Sequence, residues 1–351
     1  MKKHSGEGKI NYDNGDAYEG EFRNAEPHGV GKMTYKDGRV VNGIWRNGKI
    51  EYEGDMVDGK PHGRGKKTYS SDGGVYEGTY EGEWKNGLPH GKGNWKAHNG
   101  SSYEGEFKDD SRNGTGTEIY SDGYVYEGEW KNDKRHGKGI EKHPNGNLFY
   151  DGDWKDNERH GRGVGKYADG SSYDGEWKDD KKHGKGITKY PDGSVQYEGE
   201  VKDDKANGNG TYNYENGDVY TGEWSAGKKH GKGVMTYANQ DSYDGEWKEG
   251  FRDGTGTMKY HNGDVYAGEF SVNQMHGRGT YSYAAGDVLK SIGEWKEGKK
   301  VGLFDDIVRV RKQVYYDNDE AKSHAKVKRE APWDEDTDTE EGPTRRSKRR
   351  N

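Results

Sequence analysis

The feature that most limits what this chain can fold into is a short motif that recurs along almost its whole length. One copy contains Tyr173-Asp174-Gly175-Glu176-Trp177, followed by His183-Gly184-Lys185-Gly186 and the turn pair Asp192-Gly193. The leading tyrosine returns at Tyr18, Tyr52, Tyr80, Tyr103, Tyr126, Tyr150, Tyr173, Tyr197, Tyr220, Tyr243 and Tyr266. From Tyr80 onward the steps are 23 or 24 residues. A fixed period of this size predicts a repeat protein in which each unit buries its apolar face against its neighbours.

Composition by itself points in another direction. Hydrophobic residues make up 26% of the chain and charged residues 34%, a balance that is typical of disordered segments. The apolar residues are largely aromatic, with 27 tyrosines and 10 tryptophans, and many of them hold fixed positions beside the 59 glycines. Because the aromatic residues recur in register, we expect one ordered, elongated body without a central core.

The first half of the motif predicts a β-strand. Alternate residues of a strand share a face, so Tyr173, Gly175 and Trp177 lie on one side, and Asp174 and Glu176 lie on the other. Glycine inside a strand is unfavourable unless something lies across it, and aromatic rings can provide that cover. We therefore expect tyrosine and tryptophan rings from adjacent strands to lie flat over Gly175 and its equivalents.

The second half of the motif follows the same alternation. Gly184, Gly186 and Thr188 are expected on the aromatic face, whereas Lys185 points to the opposite face. That opposite face carries acidic residues on one strand and Lys or Arg on the next. The pattern predicts cross-strand ion pairs, each of which stabilises the sheet by about a few tenths of a kcal/mol.

Turn residues predict how the strands connect. Asn-Gly and Asp-Gly pairs are strong hairpin signals. They occur at Asn14-Gly15, Asp37-Gly38, Asp122-Gly123, Asp169-Gly170, Asn216-Gly217 and Asn262-Gly263. Each unit is thus expected to be a β-hairpin, and single extra residues before Tyr150 and Tyr197 predict bulges.

The motif resembles the repeat of the MORN (membrane occupation and recognition nexus) family. The repeat unit of that family is similar to Tyr-x-Gly-x-Trp followed by His-Gly-x-Gly and Asp-Gly. The resemblance runs from about Gly6 to Gly302. It implies an all-β fold, an elongated single-layer antiparallel β-solenoid of consecutive MORN hairpins with a disordered C-terminal tail.

The predicted array occupies residues 1–304, with irregular stretches near 41–56 and 74–80. About half a unit is missing between Val41 and Tyr52, so a skipped strand or a kink is expected there. Residues 305–316 are expected to form a capping strand or a helix. Residues 317–351 have few apolar side chains and long charge blocks, which predict a disordered charged tail.

Several patterns resemble chemical sites and are better explained by structure. Histidine precedes glycine at His28, His62, His90, His136, His160, His183, His230 and His276. Successive copies would sit two strands apart, roughly 9–10 Å, whereas each ligand of a zinc ion lies about 2 Å from it. We therefore interpret this histidine as the donor or acceptor of a local turn hydrogen bond, and we expect no metal, no cofactor and no catalytic residue. There are no cysteines.

The aromatic face is the one candidate binding site. Its strongest members are Tyr126, Trp130, Tyr150, Trp154, Tyr173, Trp177, Tyr220, Trp224, Tyr243 and Trp247. These residues either form the core alone, or form the core and also line an open aromatic groove, because a single sheet has no second layer. An amphipathic helix or an extended peptide would fit such a groove. Nucleic acid is not expected, because the flanking acids would repel phosphate and the net charge is −7.

The C-terminus suggests a second, weaker candidate. Its basic residues are Arg345, Arg346, Lys348, Arg349 and Arg350. Such a cluster is a contact for anionic lipid or for nuclear import, or is simply part of a solvated tail.

These features favour a non-enzymatic scaffold that binds a protein segment along the aromatic groove. Resemblance to MORN proteins implies cytoskeletal, ciliary or membrane-associated assemblies, and homo-oligomers are compatible with it. The first alternative is direct binding of anionic phospholipid; the second is a detached regulatory module for an enzyme such as a lipid kinase. The beginning of the chain lacks a secretory apolar stretch, so we expect a cytoplasmic location, or a nuclear one if the basic C-terminus acts as a signal.

Overall fold

The structure is a computed structural model that describes residues 5–69 and 77–309, and within these ranges it contains 26 β-strands and no helix. The strands are β1 (Gly6–Asn11), β2 (Ala17–Arg23), β3 (Glu26–Thr34), β4 (Val40–Arg46), β5 (Lys49–Val57), β6 (Lys60–Tyr69), β7 (Gly78–Lys85), β8 (Leu88–Ala97), β9 (Ser102–Lys108), β10 (Ser111–Ile119), β11 (Val125–Lys131), β12 (Lys134–Lys142), β13 (Leu148–Lys155), β14 (Glu158–Lys166), β15 (Ser172–Lys178), β16 (Lys181–Lys189), β17 (Val195–Lys202), β18 (Lys205–Asn213), β19 (Val219–Ser225), β20 (Lys228–Thr236), β21 (Ser242–Lys248), β22 (Phe251–Lys259), β23 (Val265–Ser271), β24 (Gln274–Ser282), β25 (Val288–Lys296) and β26 (Lys299–Val308).

Each strand pairs antiparallel with the next one along the chain, so all 26 belong to one open sheet. The predicted all-β antiparallel sheet of consecutive hairpins is confirmed. The expected disordered tail over 317–351, and with it the basic cluster, lies outside the described residues. No helix in the described part of the chain is long and apolar enough to span a membrane.

Two kinds of strand alternate in the sheet. An anchor strand, such as β15, carries the Tyr-x-Gly-x-Trp motif, and a second strand, such as β16, carries Gly-x-Gly. Their central glycines face each other, with Gly175 opposite Gly186 and Gly186 opposite Gly199. Paired glycines continue in this way from Gly8 to Gly43 and again from Gly54 to Gly293. The motif period therefore becomes a row of glycines that crosses the strands.

Tyrosine rings cover this glycine row. A Cβ atom added at Gly175 or at Gly186 would come within 3.0 Å of the Tyr173 ring or its hydroxyl. The hydroxyl of Tyr173 donates to the carbonyl of Glu176 at 3.1 Å, which holds the ring across both glycines. The predicted cover by tyrosine is confirmed, and each tyrosine covers the glycine of its own strand and the facing glycine of the next. The predicted cover by tryptophan is wrong for this row, since Trp177 lies against Gly165 instead.

Tryptophans complete a continuous aromatic core. The ring of Tyr150 makes edge contacts with Trp154 of its own strand and with Trp177 of the next unit. The distances between ring centroids are 5.2 Å and 5.3 Å, respectively. The Nε1–H of Trp177 donates to the carbonyl of Gly163 at 3.0 Å. Each ring thus contacts rings in its own unit and in a neighbouring one, so the units are coupled through their aromatic side chains.

A bulge bends every hairpin at the same place. Gly175 faces Gly186, but the next residue, Glu176, faces His183, so Gly184 and Lys185 are extra residues on β16. The backbone N–H of Lys185 is satisfied by Oε1 of Glu176 at 3.0 Å. Gly184 has φ +60°, and a Cβ there would meet the Glu176 carboxylate. The expectation that Gly184 shares the aromatic face with Gly186 is therefore wrong, because the bulge interrupts the alternation.

Two turn types join the strands at opposite ends. Tyr190 and Gly193 close the Asp-Gly turn, in which the N–H of Gly193 donates to the carbonyl of Tyr190 at 2.9 Å. At the other end Asp179 and Asp180 form a two-residue loop with φ of 49° and 65°. Both residues are left-handed, as in a type I′ turn. The Asp-Gly signal located the first turn. The same signal marks the second turn only in the loops Asn47-Gly48, Asp58-Gly59 and Asn86-Gly87.

Local irregularities follow the spacing of the motif. The anchor strands β4 and β5 pair directly, with Ile44 opposite Tyr52, and no second strand lies between them. Gly43 there faces Glu53, so the glycine row is interrupted. The extra residues before Tyr150 and Tyr197 are accommodated by register shifts, which confirms the two predicted bulges.

Gly186→Ala tests the cover over the glycine row. The new methyl group would overlap the Tyr173 ring, and overpacking of this kind costs about 1–3 kcal/mol. We expect a loss of that size in chemical denaturation. The control is Lys185→Ala, an exposed neighbour that should change stability by less than about 0.5 kcal/mol. Equal stability of the two variants would contradict the close approach.

Val272→Asn tests the backbone strain of the two-residue loops. Val272 has φ 45° in a position where Asn47 and Asn86 stand in other units, and its side chain is 58% exposed. A β-branched residue is unfavourable in this conformation, so asparagine should stabilise the protein by about 1 kcal/mol. The matched control is Val234→Asn, on a strand and 39% exposed, which should be neutral or destabilising. A destabilised Val272→Asn protein would show that the strain is absent.

Candidate functional site

The ten aromatic residues that were candidates for partner binding are buried. Their exposure ranges from 0% for Tyr126, Tyr150, Tyr173, Tyr220 and Tyr243 to 7% for Trp224. They pack in one continuous cluster that extends from Tyr103 to Trp295. The surface that this face offers to a partner is therefore made of the side chains that lie over the rings.

Cationic side chains form the first part of that surface. In the seven units whose second strands run from β10 to β22, the second residue of that strand is Lys or Arg in six, and these cations lie above the aromatic core. Arg135 lies 4.2 Å above Trp154, Arg159 lies 4.5 Å above Trp177, and Lys229 lies 4.5 Å above Trp247. We call this set the cation row; its members are Arg112, Arg135, Arg159, Lys182, Lys229 and Arg252.

Half-buried tyrosines form the second part. They lie at the start of the Asp-Gly turns and pack against the buried cluster. We call them the tyrosine row; its members are Tyr120, Tyr167, Tyr214, Tyr237 and Tyr260. Lys182 lies 4.8 Å above the Tyr167 ring, so the two rows are in contact. Burial raises the pKa of Tyr167 to about 12, so its hydroxyl stays protonated and available as a donor.

Buried carboxylates neutralise two members of the cation row. Nη1 of Arg112 lies 2.7 Å from Oε1 of Glu118, and Nη1 of Arg135 lies 3.0 Å from Oε1 of Glu141. Burial is the largest cause of the raised pKa of Glu141, and the Arg135 guanidinium opposes it. These two units show that the space beside a cation of this row accepts a carboxylate.

The two-residue loops clamp each hairpin to the previous one. The backbone N–H of Asp180 donates to the carbonyl of Arg159 at 3.1 Å, and Oδ1 of Asp180 accepts from the Arg159 backbone N–H at 3.0 Å. Asp204 and Asn273 make the same acceptor contact with Lys182 and Arg252. Sequence reasoning did not single out these polar loop residues, although the Asp or Asn that recurs there was a visible signal.

The structural role of the acidic residue that follows the anchor glycine was also not predicted from the sequence. Glu129 and Glu176 were expected to lie on the charged face, opposite Lys or Arg of the neighbouring strand. In the structure Glu129 accepts the backbone N–H of Lys138 at 2.9 Å, as Glu176 does for Lys185. This carboxylate satisfies the bulge and is a structural residue, because the bulge otherwise leaves an N–H without a partner.

The repeated histidines do not make the expected local turn hydrogen bond. Nδ1 of His28, His90, His136 and His183 is buried without a hydrogen-bond partner among the described residues. His90 lies 3.5 Å from Asp109 on the next hairpin, a distance too long for good hydrogen-bond geometry. No group of three His, Cys, Asp or Glu side chains that could hold a metal occurs in residues 5–69 and 77–309.

The fold and this surface define a class: a β-repeat protein whose tandem hairpins present one aromatic and one charged face. The family model of the MORN repeat matches twelve segments, at 18–38, 52–74, 80–102, 103–123, 126–148, 150–172, 173–195, 197–219, 220–242, 243–265, 266–288 and 292–303. These matches cover more than half of the chain, and the chain belongs to the MORN-repeat family. The family is one of non-enzymatic repeats.

Comparison with solved structures finds distant similarities. The TCP10 domain of Danio rerio CPAP is 10% identical with a TM-score of 0.23, covering 66% of this chain and 96% of that chain. The SAS-4 (dCPAP) TCP domain of Drosophila melanogaster, in complex with a proline-rich motif of Ana2, is 11% identical with a TM-score of 0.15, covering 65% and 94%. At these TM-scores neither similarity carries a functional argument. No curated protein matches this chain.

Trp177→Ala tests whether the buried anchors are core residues. Trp177 is 3% exposed and donates to Gly163, so its removal should cost about 3–5 kcal/mol. Trp177→Phe keeps most of the packing and should cost less, about 1–3 kcal/mol, because it loses mainly the hydrogen bond. Denaturant melts measure both. Unchanged stability of Trp177→Ala would contradict the core role and would favour direct partner contact by the indole.

Proposed function

We propose that this protein is a non-enzymatic scaffold that binds an extended or helical segment of a partner protein along the aromatic face. The observation that carries the proposal is the pair of rows above the core. Half-buried cations and tyrosine hydroxyls lie side by side above the buried aromatic core in several repeat units. Such a surface supplies hydrogen-bond donors, positive charge and aromatic contacts in a periodic arrangement, which suits a long peptide.

The ten buried aromatics retain a part in this proposal through the side chains that they support. Trp154 positions Arg135, and Trp177 positions Arg159, because each ring lies directly beneath the guanidinium. The partner would contact the cations and the tyrosine row rather than the indoles. A role in a cytoplasmic cytoskeletal or membrane-associated assembly, with self-association, rests on the MORN resemblance.

Binding of anionic lipid is less well supported by the described residues. The lysine pairs Lys181-Lys182 and Lys228-Lys229 are the basic residues of the array that could contact such a lipid. Lys228 is bonded to Glu249 at 2.6 Å, and Lys182 lies over aromatic rings. Sedimentation with vesicles that contain phosphatidylserine, at low and high salt, tests this alternative. Salt-sensitive binding of the full chain would favour it.

Proximity labelling in the native cell tests the scaffold proposal. Tyr214→Ala combined with Tyr237→Ala alters the tyrosine row, and Lys185→Ser combined with Lys232→Ser alters the opposite face. We expect the first pair to lose specific labelled proteins by roughly tenfold, since removing contacts of about 1.4 kcal/mol has that effect. The second pair should retain them. The proposal fails if both pairs, each with a native melting profile, label the same proteins as the unaltered chain.

A further inference from the structure

The cation row is unequally neutralised along the sheet. In the Arg112 and Arg135 units, the residue six positions later is Glu118 or Glu141, and it forms an ion pair with the cation. In the Lys229 unit the same position holds Met235, and in the Arg252 unit it holds Met258. These methionines are buried and apolar, with 4% and 5% exposure. Each methionine thus occupies the position of the glutamate but carries no charge to pair with the cation.

The second source of negative charge is missing in the same two units. Arg159 is paired with the loop carboxylate of Asp180 at 2.9 Å. The corresponding loop residue is Gly250 for Lys229 and the neutral Asn273 for Arg252. Among the described residues, no carboxylate lies within the 4.0 Å ion-pair distance of the Lys229 ammonium group or the Arg252 guanidinium. Both cations are held over aromatic rings without a paired charge.

Arg252 is incompletely bonded. Its Nη2 donates to the carbonyl of Asn273 at 2.8 Å, and its Nη1 lies 3.4 Å from the sulfur of Met258. Its Nε is buried and has no hydrogen-bond partner in the described part of the chain. The Nε atom is enclosed, so a ligand carboxylate would compensate the charge of the guanidinium from the depression that Arg252 lines rather than bond to Nε itself. Burial also lowers the pKa of Lys229, which a bound anion would reverse.

Two carboxylates near this surface are already engaged. Asp218 accepts the backbone N–H of Ala238 at 2.9 Å, and Asp241 accepts that of His261 at 2.7 Å. Asp218 follows the Asn216-Gly217 turn and Asp241 follows the Asn239-Gln240 turn, and each bonds to the next turn along the sheet. With Tyr237, Met258 and Arg252 they line a shallow depression that is open to solvent. One side of the depression is cationic and aromatic and has hydrogen-bond donors without partners. The other side is acidic, and its carboxylates already accept hydrogen bonds from the chain.

Spacing selects the conformation of a complementary ligand. Lys229 lies on β20 and Arg252 on β22, so the two cations are two strands apart, about 9.4–9.8 Å. A polyproline II helix advances about 3.1 Å per residue and returns to the same side every three residues, a step of about 9.3 Å. In a β-strand, residues three apart point to opposite sides. An α-helix needs seven residues, about 10.5 Å.

We propose that Lys229 and Arg252 bind two carboxylates of a partner segment in the polyproline II conformation that carries Asp or Glu at every third position. This inference rests on the proposed function and specifies its partner. The carboxylates approach the two cations from the solvent side, because Met235 and Met258 fill the places that Glu118 and Glu141 occupy in their own units. The tyrosine row donates to the backbone carbonyls of the segment, which are free in polyproline II. Ala206 interrupts the cation row upstream, so the contact is centred on these two units.

Fluorescence anisotropy with a labelled peptide of about five Glu-Pro-Pro repeats tests the charge requirement on the full chain. We expect saturable binding that weakens as salt is raised, because partly exposed ion pairs are screened. The matched peptide of Gln-Pro-Pro repeats should bind at least about tenfold more weakly. Equal binding of the two peptides would overturn the carboxylate assignment while leaving a groove for polyproline II segments.

Met235→Glu combined with Met258→Glu supplies both carboxylates within the chain. This variant copies the Arg112–Glu118 arrangement, so the cations should pair internally and peptide affinity should fall by about tenfold or more. Met235→Gln with Met258→Gln is the matched uncharged control and should retain more affinity. If the Glu variant does not fold, Lys229→Met with Arg252→Met gives the same expected loss. Retained affinity in a folded variant would rule out these two cations as the site.

The reverse change should create binding sites. Arg112 is also paired with Asp133 at 3.2 Å, so Glu118→Met, Asp133→Asn and Glu141→Met together free Arg112 and Arg135. We expect this variant to bind the Glu-Pro-Pro peptide more tightly. An acidic α-helical peptide that binds more tightly than the Glu-Pro-Pro peptide would overturn the polyproline II assignment. Absence of binding by every peptide overturns the inference, whereas the labelling experiment decides the scaffold function independently.

Discussion

The close approach of a tyrosine ring to a pair of glycines is the contact on which the rest of this structure depends. A single sheet has no second layer to cover its apolar face, so the face must be covered by its own side chains. Only a residue without a Cβ leaves room for a ring to lie across the strand. The tyrosine hydroxyl then bonds to its own backbone three residues later, as Tyr173 does with Glu176. The glycine pairs and the rings thus form one unit of packing.

This packing explains how a chain with so few aliphatic residues remains ordered. Where the units carry an aromatic residue at the tryptophan position, an anchor tyrosine contacts that of its own unit and that of the next, as Tyr150 does with Trp154 and Trp177. Aromatic burial of this kind supplies a large apolar area per residue. Polar contacts complete the connection on both sides: Glu176 satisfies the bulge, and Asp180 joins its hairpin to the previous one. Units are therefore coupled to their nearest neighbours, as expected for a repeat protein.

The same arrangement creates the candidate binding surface. Because the anchor rings are buried among glycines and neighbouring rings, the cations and the outer tyrosines supply polar and charged groups at the solvent side of this face. Their neutralisation differs from unit to unit, since Glu141 pairs with Arg135 whereas Met258 stands beside Arg252. A periodic scaffold thereby acquires a distinct region without any change in its backbone pattern. Variation at one position of the repeat is sufficient for such specificity.

Sequence alone determined the repeat, the strand alternation, the paired faces and the Asp-Gly turns, because each depends on residues close together in the chain. Periodicity also predicted that rings would cover Gly175 and its equivalents. Tertiary structure decided which side chains remain accessible: the anchors such as Trp177 are enclosed, and Arg159 lies above them. It also revealed the bulge at Gly184 and the unpaired state of Arg252. These features depend on register and on contacts between residues about twenty positions apart, which a local pattern does not specify.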